Sequence, residues 1–220
     1  MTEGEPFFQL DWVLEHLDTL AQRIGEHMLV TVIAVVAGFV ISFGLALAVR
    51  RYPRLYGPIL AVSGVLYAIP SIALFVLFIP ITGLSLLTAE IALVSYTLVI
   101  LVRNIVTGLR GVPAEVIEAA RGMGYTDRQR LWRVELPIAL PIIVAGVRIA
   151  TVTTIGLVTI ATLIGMGGLG YLIVNIGVQQ RFPTATITGV AIVVLLSTIV
   201  DFGLLAVQHR LTPWAKAREA

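Results

Sequence analysis

The sequence contains no cysteine, and that single absence rules out disulfides, thiolate metal ligation and cysteine nucleophiles together. Histidine is nearly as scarce: His16, His27 and His209 are too scattered to suggest a metal cluster. Charge is sparse as well, since only 13% of the 220 residues are Asp, Glu, Lys or Arg, where soluble domains carry about 25%. A net charge of +2 gives no basis for nucleic-acid binding. No phosphate-cradling Gly-rich loop ending in Lys-Ser or Lys-Thr occurs, and no nucleophile–base pair stands out. Catalytic, cofactor-binding and metal-binding residues are therefore expected to be none, and the chain is not read as an enzyme.

In place of charge there are long apolar runs. Hydrophobic residues make up 58% of the chain, and mean hydropathy is +0.97. From Met28 to Val49 no residue is charged, a stretch long enough to cross a bilayer core as a helix. Leu55 to Ala89 is also uncharged but too long for one span; Pro80, Thr82 and Gly83 divide it into a span near 58–79 and another near 84–102. Pro70 and Ser71 predict a kink inside the first of these. A fourth span is expected from Pro137 or Ile138 to near Ile160, and a fifth over 185–207. Residues 169–177 are too few to cross and return, so they read as a short re-entrant or interfacial helix. The expected fold is an all-α polytopic membrane protein with five transmembrane helices. Its parts are an amphipathic segment 1–27, a membrane domain 28–208 and a tail 209–220.

The first segment sets Glu3, Glu5, Asp11, Glu15, Asp18 and Glu26 against a single Arg23, with Leu10, Val13, Leu14, Leu17, Leu20 and Ile24 at helical spacing. An interfacial helix with an acidic wet face fits this pattern, whereas a cleaved signal peptide starts basic. Basic residues cluster elsewhere. Twelve of the fifteen Lys and Arg residues fall in the 50–54 loop, the 103–133 loop and the tail. Five spans with the N-terminus outside and the C-terminus cytoplasmic put all twelve on one side, as the positive-inside rule requires.

The long polar break runs from Pro113 to Pro141. Pro113 suits a helix start, Gly122 and Gly124 an exit, and Thr126 with Gln129 a capping box for a second short helix that runs into Pro137. A helix-turn-helix over 112–135, held between membrane spans, is suited to docking a soluble partner. Three charges fall inside expected spans, Glu90, Arg148 and Asp201. Each costs about 2.5–3.5 kcal/mol at the bilayer centre, so each must face protein or water. Counting inward along antiparallel third and fourth spans pairs Glu90 with Arg148 and leaves Asp201 to bond a neighbouring helix. Gly165, Gly167 and Gly170 satisfy a dinucleotide-binding pattern, but they follow a membrane helix and lack the acidic residue that pattern needs. With Gly168 they read as a tight turn at the outer face. Tyr67, Phe75, Phe78 and Tyr96 form no recognisable cage in sequence.

Glu118-Ala119-Ala120, then Gly124, then Val134-Glu135-Leu136-Pro137 resembles the EAA motif of permease subunits in binding-protein-dependent ABC importers, with Val134 where Ile is usual. Further stretches resemble the glycine betaine, carnitine and choline branch: Tyr67 to Leu74, Val102 to Gly108, Val144 to Arg148 and Leu163 to Gly170. Phe43 stands where members of that branch often have proline. The resemblance implies a type I importer permease that pairs with an identical or homologous second permease, a cytoplasmic ABC ATPase dimer and an extracytoplasmic solute-binding protein. It also implies that this chain binds no cofactor, ATP and Mg being held by the ATPase. Glu118 would make an ionic contact in the ATPase groove, Ala119 and Ala120 would allow close approach, Gly124 would turn the chain, and Leu136 and Pro137 complete the motif. A methionine or other amino-acid importer is the alternative within this class. A lone secondary transporter or channel and a membrane scaffold are the rivals outside it, and the absence of a convincing internal repeat counts against the first.

Overall fold

A computed structural model describes residues 7–213, all of whose regular elements are helical. Glu3, Glu5, Lys216 and Arg218, which entered the charge pattern above, lie outside the described residues. A short helix α1 (Leu10–Glu15) leads into α2 (Leu17–Arg51), which has 35 residues and no proline to interrupt it. At this length it spans about 50 Å, well beyond a hydrocarbon core of about 30 Å. The boundary expected at residue 27 therefore falls inside a continuous helix. Tyr52 ends α2 outside the helical region, at φ −128° and ψ 83°, because Pro53 follows it.

The second span is broken rather than kinked. Helices α3 (Tyr56–Ala68) and α4 (Ser71–Thr82) meet at 98°. Pro70 forces Ile69 into extended backbone and donates no hydrogen bond itself, so the helix cannot continue through it. The pair still covers the depth of one span. Tyr56, Ile59 and Leu60 pack beside Leu101, Ile105 and Leu109, while Leu74 and Phe75 pack beside Ala89 and Leu93 at the far end of the same helix.

That helix, α5 (Leu86–Arg110), is the centre of the bundle. Ser85 caps it by accepting the Thr88 N–H. It continues to Arg110, past the end expected near residue 102. A polar linker then carries α6 (Ala114–Gly122) and leads into α7 (Asp127–Ile164). Two short loops follow, one before α8 (Leu169–Val178) and one before α9 (Pro183–Leu211). At ten residues α8 is about 15 Å long, too short to cross.

Pro137 does not stop a helix, contrary to the expected separate second coupling helix. The chain runs on through it because residues Leu131–Glu135 form a wide π-helical turn. A proline ring clashes with the carbonyl four residues back and removes one donor, and a widened turn just before it relieves both problems. Asp127 to Ile164 is consequently one rod joining the coupling region to the membrane.

Small residues set how the rods mesh. A Cβ on Gly38 would lie 1.9 Å from Thr97 Oγ1, and one on Gly146 would lie 2.4 Å from Asn104 Cβ. On α2 and on α7 a bare glycine backbone therefore receives a side chain of α5, which lets both helices close tightly on it. By contrast α9 buries only Thr184, Ala185, Thr188 and Gly189, and leaves Val194, Ile199 and Phe202 on the outside. Such a face needs lipid or another helix against it.

Candidate functional site

The coupling region is built by local rules. Pro113 is the N-cap of α6, and Gly124 closes it with a left-handed φ of 81°. Tyr125 N–H reaches the Ala120 carbonyl at 3.1 Å and Gly124 N–H the Arg121 carbonyl at 2.9 Å, the two bonds of a Schellman turn. Thr126 then starts α7 through a full capping box, its N–H donating to Gln129 Oε1 at 2.9 Å and its hydroxyl oxygen accepting the Gln129 N–H at 3.3 Å. On the outside lie Glu118, Ala119, Met123 and Trp132. Ala120 does not share that face: one helical step of about 100° beyond Ala119, it is buried. Leu136 and Pro137 are half-buried at the start of the membrane part of α7.

Beneath this surface sits a buried ionic cluster that sequence reasoning missed. Glu135 accepts Arg50 Nε at 2.7 Å and Arg50 Nη2 at 2.8 Å, a two-pronged contact across 85 residues of chain. It also accepts Arg130 Nε at 2.7 Å, and Arg130 reaches Asp127 at 3.0 Å. Glu135 and Arg130 are buried, 4% and 8% exposed. The cluster ties the end of α2 to the first turns of α7. A cavity of about 410 Å³ opens beside it, bordered by Arg50, Arg110, Ile117, Arg121, Arg130 and Glu135. The only sequence signal was a carboxylate closely preceded by Arg128, Arg130 and Arg133.

At the opposite end the glycine turn is clamped onto α2. Gly168, at φ 76°, donates its N–H to Glu26 Oε2 at 2.9 Å, and Arg23 holds the same oxygen at 2.8 Å. His27, fully buried, donates from Nε2 to the Ile155 carbonyl at 2.9 Å and accepts the Leu169 N–H on Nδ1 at 3.3 Å. Those partners fix the ring tautomer, since a carbonyl only accepts and an N–H only donates. Gly165 is also left-handed, at φ 86°. A Cβ on Gly167 would lie 2.2 Å from Glu26 Oε2, and one on Gly170 would lie 2.1 Å from the Thr159 carbonyl oxygen. Close backbone approach thus explains this glycine run.

Within the membrane the expected Glu90–Arg148 pair does not form. Arg148 pairs with Asp201, Nε at 2.9 Å and Nη2 at 2.8 Å from its two oxygens, and adds Gln208 at 3.3 Å. Glu90 is buried, and neither of its oxygens has a hydrogen-bond partner among the described residues. The cause is register. Gly146 seats on Asn104 and Val158 packs in one cluster with Ala92, which brings Glu90 level with the region of Ile160. Arg148 is twelve residues short of that level, or about 18 Å along the axis. Removing Asp201 alone leaves an unmatched guanidinium in an apolar span. Asp201→Ala is therefore expected to lower the yield of inserted protein further than the double change Arg148→Leu, Asp201→Leu; equal yields would exclude a mutual pairing role.

A model of the binding-protein-dependent transport system inner membrane component family matches residues 28–213. The chain belongs to that family. Among curated relatives, this permease is 34% identical over 195 residues to the glycine betaine/carnitine/choline transport system permease protein OpuCB of Bacillus subtilis, covering 88% of this chain and 89% of that one. It is 37% identical over 209 residues to the osmoprotectant import permease protein OsmW of Salmonella typhimurium, with 93% and 97% covered. Among solved structures, an inward-facing form of the MetNI methionine ABC transporter contains a chain of the same fold. The TM-score is 0.81 at 25% identity, covering 90% of this permease and 98% of that chain. The permease is accordingly a multi-pass membrane transport component with the fold of type I ABC importers, and the expected fold class holds.

Proposed function

We propose that this permease forms the membrane path of an ATP-driven importer for a quaternary ammonium osmoprotectant such as glycine betaine, carnitine or choline. The observation that carries this reading is identity of 34% and 37% to osmoprotectant permeases over most of the chain. The methionine-transporter chain shares the architecture at 25% identity. Since the chain carries no ATP-binding loop, a separate ATPase dimer supplies the energy and holds ATP and Mg. A second permease, identical or homologous, completes the path, and an extracytoplasmic binding protein delivers the cargo. The N-terminus lies outside and the C-terminus inside, which puts Arg50, Arg51, Arg54 and the basic coupling stretch in the cytoplasm.

Motion passes through α6. Closing of the ATPases on nucleotide pushes against Glu118 and Ala119; the Schellman turn and capping box hand the push to α7. Because α7 is one rod from Asp127 to Ile164, a tilt at its exposed end moves the membrane part as well. The Glu135 cluster makes α2 move with it. Two conformations of a packed bundle, each favoured by a different nucleotide state, are enough to alternate access.

Uptake of labelled glycine betaine, measured with excess unlabelled methionine in cells lacking the permease and in cells with it restored, tests the cargo. Restored uptake that ignores methionine is the expected result. No dependence on the permease, with permease and ATPase both present in the membrane, would move the cargo to the amino-acid class.

A further inference from the structure

We propose that the break in the second span is a transit site for the quaternary ammonium group of the cargo, received by the ring of Tyr67 with Tyr96 packed behind it; this rests on the cargo reading above. A cavity of about 290 Å³ opens at the break, lined by Tyr67, Ile69, Pro70, Tyr96, Thr153 and Leu157. Ligand cavities run from about 300 Å³ upward, so this one suits a small solute. Tyr96 lies near the middle of α5 and Thr153 deep within α7, which places the cavity far from either end of the bundle.

Chemistry selects the ligand. The two rings stand 5.7 Å apart at 70°, edge to face, and Tyr67 is 45% exposed where it borders the cavity. Among the described residues no charged side chain lines the space. A primary ammonium brings three N–H bonds and finds only the Ser71 and Thr153 hydroxyls beside the rings. A quaternary ammonium has none to satisfy; its charge is spread over methyl groups and is attracted to the negative faces of aromatic rings.

Tyr96 is held in place for this role. Its hydroxyl donates to the half-buried Ile69 carbonyl at the break, so swinging the ring away costs that hydrogen bond. Tyr96 belongs to the buried cluster around Leu93 together with Phe75, and Phe78 packs against it, so of these aromatics Tyr67 is the one with an open ring. Thr153 also borders a second cavity that holds Arg148 and Asp201. Ile149, Thr153 and Leu157 recur every fourth residue on α7, so one helix face continues from the tyrosines to the ion pair.

The test uses the full permease with its ATPase and binding protein in liposomes, the binding protein saturated with glycine betaine. Position 67 carries Tyr, Phe, Leu, or phenylalanine with one, two or three fluorines, which withdraw charge from the ring face at nearly constant volume. Only proteins with wild-type thermal midpoints are compared. Tyr67→Phe is expected to retain uptake, Tyr67→Leu to lower maximal uptake about tenfold, and each added fluorine to lower it stepwise toward the Leu value. Binding-protein affinity is expected to stay unchanged throughout. Uptake that is flat across the fluorine series, with wild-type betaine transport intact, would overturn the tyrosine site alone. A wild-type complex that moves no betaine would overturn the cargo reading and the site with it.

Discussion

Reversing the charge at Glu118 is expected to abolish coupled uptake while leaving the permease folded and inserted. Glu118 sits on the outer face of α6, exposed, and makes no ion pair with the described residues. Exposed positions of this kind change stability by no more than about 0.5 kcal/mol. Its effect belongs to the partner surface. Arginine there would confront whatever cation on the ATPase the carboxylate meets, and a like-charge contact at a docked interface costs several kcal/mol. Transport is expected to fall on the order of a hundredfold, with ATP hydrolysis no longer responding to the loaded binding protein. Glu118→Gln should fall between wild type and Glu118→Arg. Uptake in membranes and co-purification of the ATPase are the two readouts; normal uptake by Glu118→Arg would remove Glu118 from the docking contact.

Glu135→Ala is the second large effect, of a different kind. Here the carboxylate lies under the surface between two guanidinium groups, Arg50 and Arg130, both at 2.7 Å. Deleting it leaves two guanidinium groups facing each other, Arg130 with only the exposed Asp127 and Arg50 with no ion pair among the described residues. Breaking a buried pair costs about 3–5 kcal/mol, chiefly because the remaining charge is uncompensated. The expected result is a large drop in thermal midpoint and in the fraction of permease recovered from membranes. Replacing all three groups together, with Arg50→Met, Arg130→Met and Glu135→Leu, should recover much of that loss, since an apolar cluster of similar volume needs no matching charge. A Glu135→Ala protein with an unchanged midpoint would show that the cluster contributes no stability. If the triple variant is stable yet transports poorly, the cluster also carries motion from α7 to α2.

The two substitutions differ in how far the sequence foretells them. Glu118 was legible because the features around it are local: a proline start, a glycine stop and a capping pair three residues apart, each acting within one helical turn. Glu135 stood in the same motif, yet its partner Arg50 is 85 residues away. No spacing rule reaches that far. Ala120 shows the same limit on a smaller scale. One helical step separates it from exposed Ala119, and only the packing of α6 against the rest of the protein decides which of the two is covered.

By itself the sequence determined the membrane character of the chain, the number and approximate places of its apolar spans, the short helix after the glycine turn and the polar coupling stretch. Those depend on length, hydropathy and caps, which are properties of consecutive residues. Tertiary structure alone decided which carboxylate meets Arg148, how the tyrosines share a cavity and how Pro137 comes to lie within a continuous rod. Each of these depends on axial register and rotation between helices, and both are set by how closely Gly38 meets Thr97 and Gly146 meets Asn104. Hydropathy measures how far an apolar run extends. It carries no record of which side of one helix is pressed against the next, and it is that contact that brings Arg148 to Asp201 and leaves Glu90 without a partner among the described residues.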